Sequence, residues 1–470
     1  MSPTIATFVC FAGIIALWWL DRDQKLRTSP ALWIAILWFL LACSRPLGAW
    51  LADQSHNEAA TEQVAEGSAP DRAALSALLL LGLIVLFKRK RLVLKSLRQS
   101  LPILIFFAYC LISLMWSDFP AIAFKRWNKA VGDFVMVLLI WTDPDPVGAL
   151  KRLLARVSYI LIPISVLFIK YYPDLGRTYD YLGGAHYIGV TREKNTLGSL
   201  CLLLGIAAIW RIVRLFSEER QTAQRWRRLI PQFVIVTMIV WMFSILDAMT
   251  SLSCFLLANC VLFATRLRMV KRSRILVHVL MLSIILIPVS VTVLGMSPDT
   301  LQRMGRNPTL TDRTDIWKAV VKLNPNPWVG AGFESFWAGP RLQAIVDTAT
   351  RWWVPNQAHN GYLEIYANLG WLGVGCLLIV IVWAYGGVVR AWRQRQPACH
   401  LMLAFFLSGV IFNLTEAAFF RMMIPIWLFF LIAITSPISK VKQISTERIR
   451  KSLGSKTLNC PATRSIAMGV

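Results

Sequence analysis

Long apolar runs, interrupted by short basic patches, dominate this chain of 470 residues. A helix that crosses a bilayer needs roughly 20 mostly apolar residues. Runs that meet this pattern begin near positions 4, 31, 72, 101, 130, 153, 195, 229, 250, 275, 360, 399 and 422. The pattern therefore predicts an all-α polytopic integral membrane protein with about 12–13 transmembrane helices. Two spans between 229 and 265 are joined by a tight polar turn, Asp247-Ala248-Met249-Thr250-Ser251. Met1 to Phe8 lacks the basic stretch of a signal peptide and no small-residue cleavage site follows Trp18-Trp19, so Thr4–Leu20 is read as a retained helix.

The polar positions give the spans a direction. Lys88, Arg89, Lys90, Arg91, Lys95 and Arg98 form one basic block, and Arg211, Arg214, Arg220, Arg225, Arg227 and Arg228 form another. Arg266, Arg268, Lys271, Arg272 and Arg274 follow, then Arg390, Arg393 and Arg395, and the tail holds Lys440, Lys442, Arg448, Arg450 and Lys451. All fall on one side of the predicted map, whereas the loop 51–71 carries Asp53, Glu58, Glu62, Glu66 and Asp71 and no Lys or Arg. Basic loops stay cytoplasmic, so an odd helix count puts the expected N-terminus outside and the C-terminus inside; if the first helix is not a true span, the N-terminus lies inside and the rest stands.

Two outer segments are longer than connectors. One runs from Tyr171 to Asn195; the other, 296–358, exceeds the usual loop length and suggests function. Thr311-Asp312-Arg313-Thr314-Asp315 has the spacing of a helix start. Ile316, Val320 and Leu323 continue as one apolar stripe, and Asn324-Pro325-Asn326-Pro327 ends it. A short amphipathic helix is expected there, on the membrane surface or capping a cavity. The chain divides into N-terminal helices 1–100, central helices 101–295, a large loop 296–358, C-terminal helices 359–438 and a basic tail 439–470.

Composition agrees. Hydrophobic residues make up 56% and charged residues 16%, against about 25% charged in soluble domains. This excludes an ordinary soluble enzyme. The formal net charge of +25 would suggest nucleic acid in a soluble protein, but here the cytoplasmic blocks account for it, and no nucleic-acid partner is expected. Nine cysteines, most within apolar runs, include no CxxC pair, so neither a disulfide framework nor a zinc site is indicated.

Candidate chemistry lies with the basic residues on the outer side: Lys125, Arg126, Arg177, Arg192, Lys194, Arg303, Arg306, Arg313, Arg341, Arg351 and Arg421. Some are accounted for as interfacial anchors. Thr191-Arg192-Glu193-Lys194-Asn195 sets three charges directly before an apolar run, with Arg192 and Asn195 three apart. A guanidinium there is a fixed charged fork suited to phosphate oxygens. The second constellation is Asn356-Gln357-Ala358-His359-Asn360-Gly361-Tyr362-Leu363-Glu364-Ile365-Tyr366. Helical spacing sets His359, Tyr362 and Tyr366 on one face and pairs Asn360 with Glu364. His359 could serve as a general base near neutral pH or merely cap the helix. Gly330-Ala331-Gly332 could let backbone approach a ligand closely. No metalloprotease motif, phosphate loop, paired metal carboxylates or Ser-His-Asp array is present, so no metal and no cofactor are expected.

Thr311–Trp317, Pro327-Trp328-Val329-Gly330-Ala331-Gly332, His359-Asn360-Gly361-Tyr362-Leu363-Glu364 and Leu369-Gly370-Trp371-Leu372-Gly373 together resemble the ordered outer-loop motifs of the O-antigen ligase and polymerase superfamily. Arg306-Asn307-Pro308-Thr309-Leu310-Thr311 and the His359–Glu364 run resemble its exopolysaccharide polymerase branch, related to succinoglycan production proteins. The likeness covers about 110–440 and is specific over 305–373.

The resemblance implies a multi-pass glycosyltransferase of the bacterial inner membrane, its active site facing the periplasm. It implies polymerisation of oligosaccharide repeat units carried on undecaprenyl diphosphate, by an inverting, metal-independent reaction. His359 would be the catalytic base; Arg192, Lys194, Arg313, Arg126 and Arg421 would hold the diphosphate; Asn195, Asn360, Glu364 and Tyr362 would support them. Many relatives carry Ser-Arg where this chain has Asp247–Ser251, so Arg126, Arg313 or Arg421 is expected to stand in. Expected partners are the lipid-linked donor, a glycan acceptor and the bilayer, with flippase and chain-length-regulator proteins as candidates. The alternative within the class is a ligase transferring the glycan to lipid A core or another acceptor. The alternative from another class is a polysaccharide flippase, which should show intramembrane charges and repeat symmetry.

Overall fold

In the computed structural model the described residues are 1–23, 27–51, 68–179, 183–218, 223–273, 275–293, 311–350 and 354–437. The acidic stretch 52–67, the 294–310 part of the large loop with Arg303 and Arg306, Arg351, and the tail from 438 lie outside them. The fold is an all-α helical bundle; the β-structure among the described residues is one antiparallel hairpin, Arg177–Tyr179 against Ala185–Tyr187.

Every predicted run falls on or beside a helix. Six helices among the described residues are long and apolar enough to cross a membrane: Pro3–Leu20, Ala69–Lys88, Pro146–Tyr171, Lys194–Ser217, Gln224–Ile245 and Gly361–Arg393. A seventh arises if Lys90–Gln99 and Leu101–Trp116, bent by 84°, count as one span. Five apolar helices are shorter, among them Cys399–Phe412 and Pro425–Ile434. Those two are buried almost all round, as expected of helices apolar on every face. Ringed by other helices, they do not have to match the full thickness of the hydrocarbon. The remaining run is helix Pro120–Trp141, which carries Lys125, Arg126, Lys129 and Asp133.

The two ends of the bundle differ in chemistry. At one end the basic blocks meet acids: Arg211 forks onto Asp21 at 2.7 and 2.9 Å, and Arg228 reaches Asp23 at 3.1 Å. The opposite end gathers the outer-loop residues, and Thr7, one turn into the first helix, meets Tyr172 there at 2.8 Å.

The large loop is built onto this second end. Helix Thr311–Leu323 forms where the apolar stripe predicts it. Ile316 and Val320 are fully buried against Ala331, Phe336, Ile345, Ala358 and Ala367, so the stripe faces the rest of the loop. A second anchor is made by backbone alone. Gly330 N–H and Trp371 N–H donate to Asn326 and Pro327 carbonyls at 2.8 Å each, while Ala331 and Gly332 N–H donate to Ala367 and Asn368 at 3.1 and 2.8 Å. The Gly330 turn therefore approaches helix Gly361–Arg393, at its break at Gly370, and not a ligand.

Candidate functional site

The site is assembled from three short segments at this end. The first is the turn before helix Lys194–Glu218. Arg45 staples it: its backbone N–H donates to Val190, Nε to Thr191 at 2.9 Å and Nη2 to Gly189 at 3.2 Å and to Leu175. Burial and the nearby Arg192 charge pull the Arg45 guanidinium down from its usual value. Thr191 Oγ1 closes the same turn onto Ile188 and Glu193 carbonyls at 2.8 and 3.0 Å. Arg192 thus precedes the helix instead of sharing a helical face with Asn195, yet both line one cavity of ≈ 430 Å³. The Arg192 side chain reaches solvent in that cavity. The protein packed round it still lowers its pKa from the usual value, against the opposing pull of Asp71 and Glu193.

The second segment is 354–360. His359 adopts φ +50° and lies before the helix. The predicted face shared with Tyr362 and Tyr366 therefore does not exist, because the helix begins two residues later at Gly361. Asn360 is its N-cap, accepting from Tyr362 and Leu363 N–H at 3.0 and 3.1 Å, as a short amide side chain does best. Glu364, 2% exposed, accepts from Trp337 Nε1 at 2.7 Å, Ala358 N–H at 2.8 Å and Asn368 Nδ2 at 3.1 Å. The expected Asn360–Glu364 pair is replaced by these separate tasks: one residue starts the helix and the other ties the loop to it. Tyr362 donates to the Val410 carbonyl at 3.0 Å, into the bundle.

The third segment, 413–424, joins the two buried short helices. Asn413 Oδ1 takes Ala418 and Phe419 N–H at 2.8 and 2.9 Å, which folds the turn that presents Glu416. Gly361 N–H donates to Asn413 at 2.8 Å, and a Cβ on Gly361 would meet Asn413 Oδ1 at 2.0 Å. Only glycine lets the two segments come this close.

Glu416 is where the segments converge, and sequence reasoning passed it over. It is 5% exposed. Its Oε2 meets His359 Nδ1 at 3.0 Å, and its Oε1 accepts from Asn195 Nδ2 and Arg313 Nη2 at 3.0 Å each. A carboxylate only accepts, so His359 donates from Nδ1. A signal for Glu416 was present: with Arg421 it is one of two Asp, Glu, Lys or Arg residues in the apolar stretch 399–434, and an ionisable group in such a stretch is a functional candidate.

The other expected phosphate ligands are distributed. Arg421 Nη1 donates to Gln357 Oε1 at 2.7 Å and lines the cavity with Arg192, Lys129 and Glu416. Arg126 lies beyond it on Glu334, donating to its carbonyl at 2.5 Å with a carboxylate oxygen at 3.7 Å. Arg313 also donates to the Thr415 carbonyl at 2.7 Å, and Thr415 Oγ1 meets Thr250 Oγ1 at 3.0 Å. Lys194 turns away to Asp247 at 3.7 Å and is not part of the cavity wall. Leu41, Leu75, Phe412, Met422, Ile424 and Pro425 give the same cavity an apolar side. Among the described residues no group of three or more His, Cys, Asp or Glu could hold a metal ion.

A family model described as O-antigen ligase matches residues 234–378, the span that contains Arg313, Glu334, His359 and Glu364. The chain is also similar to the exopolysaccharide production protein ExoQ of Rhizobium meliloti (strain 1021). The two are 23% identical over 333 residues, covering 68% of this chain and 73% of that protein.

Proposed function

We propose that this chain, which is similar to the O-antigen ligase family over residues 234–378 and to an exopolysaccharide production protein over 333 residues, is a membrane glycosyltransferase that polymerises lipid-diphosphate-linked oligosaccharide repeat units into exopolysaccharide. The donor is a repeat unit on undecaprenyl diphosphate, and the active site faces the periplasm from the inner membrane. The observation that carries this reading is the two-sided cavity beside His359. Arg192, Lys129 and Arg421 line it together with Asp71, Glu193 and Glu416, and Phe412, Met422 and Ile424 form its apolar part. Glu416 is taken up by Asn195, Arg313 and His359, and the exposed Arg192 fork beside an apolar wall suits a phosphate group attached to an isoprenoid chain.

In this reading the acceptor sugar hydroxyl attacks the anomeric carbon of the donor. The new C–O bond forms as the bond from that carbon to the diphosphate oxygen breaks, which inverts the configuration. His359 Nε2 takes the hydroxyl proton. Glu416 fixes the imidazole through Nδ1 and balances the imidazolium that forms, as the buried acid does in hydrolytic triads. The diphosphate leaves with the electron pair, and Arg192 answers the growing negative charge with a bidentate fork. Arg313 is the arginine that stands in for the missing Ser-Arg turn. It reaches Thr415, which in turn touches Thr250 of that turn. No metal takes part.

The family description, O-antigen ligase, favours a second reading in which the same donor and base transfer a finished glycan to lipid A core. One experiment separates them. Purified protein is incubated with undecaprenyl-diphosphate-linked repeat units, with and without chelator, and the products are sized. A ladder of lengthening glycans supports the polymerase. Product formed only after lipid A core is added supports the ligase. No transfer under either condition removes the glycosyltransferase reading, and inhibition by chelator that a divalent ion reverses removes its metal-free form.

A further inference from the structure

At the basic end of the bundle, far from the site just described, a cavity of ≈ 990 Å³ opens between helices Lys90–Gln99 and Gly361–Arg393. Lys95, Arg98 and Arg390 line it together with Trp383, Val388 and Met402. No Asp or Glu contributes to its wall. Positive loops on this face are expected from topology alone, but topology does not explain three cations converging on one cavity. Three cations at this end lie against acids, Arg211 on Asp21, Arg228 on Asp23 and, at 3.9 Å, Arg89 on Asp143. Lys95, Arg98 and Arg390 have no such acid among the described residues.

The helix that carries two of these cations has the geometry of an interfacial element. Lys90–Gln99 turns by 84° from the following helix, so the two do not share one direction. It holds Lys90, Arg91, Lys95 and Arg98, no acid, and exposed Leu92 and Leu94. A basic amphipathic helix of this kind rests at the boundary between headgroups and acyl chains. The cavity is polar and cationic at that helix and apolar along Trp383, Val388 and Met402. Gly387 borders its open space, where a Cβ would meet nothing within 4 Å.

We infer that this crevice binds the anionic headgroup of a membrane glycerophospholipid, with phosphate at Lys95, Arg98 and Arg390 and the glycerol and first acyl segments along Trp383. A basic pocket between helices on the cytoplasmic side has the chemistry for anionic headgroups. A zwitterionic choline headgroup would bring its own cation against the three already present. Free phosphate would satisfy the cations but leave the apolar wall uncovered.

The test uses the full chain in detergent, read by native mass spectrometry and thermal melting. Phosphatidylglycerol, phosphatidylcholine and inorganic phosphate are added separately to the wild type and to the Lys95→Gln/Arg98→Gln/Arg390→Gln variant. Phosphatidylglycerol should remain as a discrete adduct and raise the melting temperature of the wild type. Phosphatidylcholine and phosphate should do neither, and the triple variant should lose both effects. Arg390→Gln alone should weaken the adduct, which keeps the test decisive should the triple variant fold poorly. Equal retention of the two lipids, undiminished phosphatidylglycerol binding by the variants, or equal stabilisation by phosphate would overturn the inference. Glycan transfer is not a readout, so the outcome does not depend on the function proposed above.

Discussion

His359 meets Glu416 at 3.0 Å through Nδ1, while Arg313 and Asn195 occupy the other carboxylate oxygen at 3.0 Å. One buried acid thus links the large loop, the turn between the two innermost helices and the start of helix Lys194–Glu218. A general base contributes ~10²–10⁴-fold to rate, so His359→Ala should lower transfer by that factor while the protein still reaches the membrane. Glu416→Gln keeps the shape but loses the charged acceptor. It should lower kcat by up to about 10⁴-fold, the loss seen when the buried acid behind a general-base histidine is made an amide. Groups that act as a unit are not additive, so the double variant should be no slower than His359→Ala. Additive losses in the kinetics of the three variants would separate the two residues.

Arg192 and Lys194 stand two positions apart and should behave differently. Arg192 lines the cavity, whereas Lys194 faces Asp247. Arg192→Lys keeps the charge but loses the planar fork, which matters at a bidentate phosphate site. It should raise KM for the lipid-linked donor and lower kcat/KM about 10-fold, roughly the 1.4 kcal/mol carried by one lost charge-assisted bond. Lys194→Ala breaks an ion pair whose acid is largely exposed, and such pairs contribute little. Steady-state kinetics on both variants give the comparison; a Lys194 loss as large as that of Arg192 would contradict the division of labour drawn from the geometry.

Arg45 reaches four carbonyls or amide partners around the turn that carries Arg192, through Val190, Thr191, Gly189 and Leu175. Arg45→Ala leaves several of these carbonyls without a charged donor. Each such bond contributes about 1.5–3 kcal/mol, but water at the cavity edge will recover part of this. The expected result is a lower melting temperature together with weaker donor binding. Thermal unfolding and KM measured on one preparation would test it, and a variant with normal KM would show that the turn holds Arg192 unaided.

The fold was legible in the sequence because a bilayer imposes a length and a polarity on every span, and that demand is local. The runs near 4, 72, 153, 195, 229 and 360 became long helices for this reason. The stripe Ile316, Val320 and Leu323 was legible too, although its partners Phe336 and Ile345 were not. The site was legible only in parts. Spacing singled out His359 and Arg192 as candidates, but helical spacing misled where the chain is not helical: His359 at φ +50° precedes its helix, and Arg192 precedes Lys194–Glu218. Glu416 and Arg45 acquire their tasks by pairing with residues dozens to hundreds of positions away, which no local pattern encodes. The Asp247–Ser251 turn lacks an arginine, and its link to Arg313 through Thr250 and Thr415 exists only in three dimensions.

Gly370 offers a test of how the large loop is held over the site. Its φ is +63°, within helix Gly361–Arg393, and a Cβ there would lie 2.2 Å from the Trp328 carbonyl carbon. Side chains rarely adopt this conformation, and backbone cannot move aside as a flexible side chain can. Gly370→Ala should therefore destabilise the protein by at least about 2 kcal/mol. The displaced 327–332 segment would loosen the bonds from Ala331 and Gly332 to Ala367 and Asn368. Gly375, in the same helix, is the control, since a Cβ there meets nothing within 4 Å; Gly375→Ala should be neutral or stabilising by about 0.5–1 kcal/mol. Thermal melts of both variants in one detergent, with protease cleavage in the 324–350 region as a second reading, decide the matter. If Gly370→Ala melts and resists protease like Gly375→Ala, the loop is not anchored through this backbone contact.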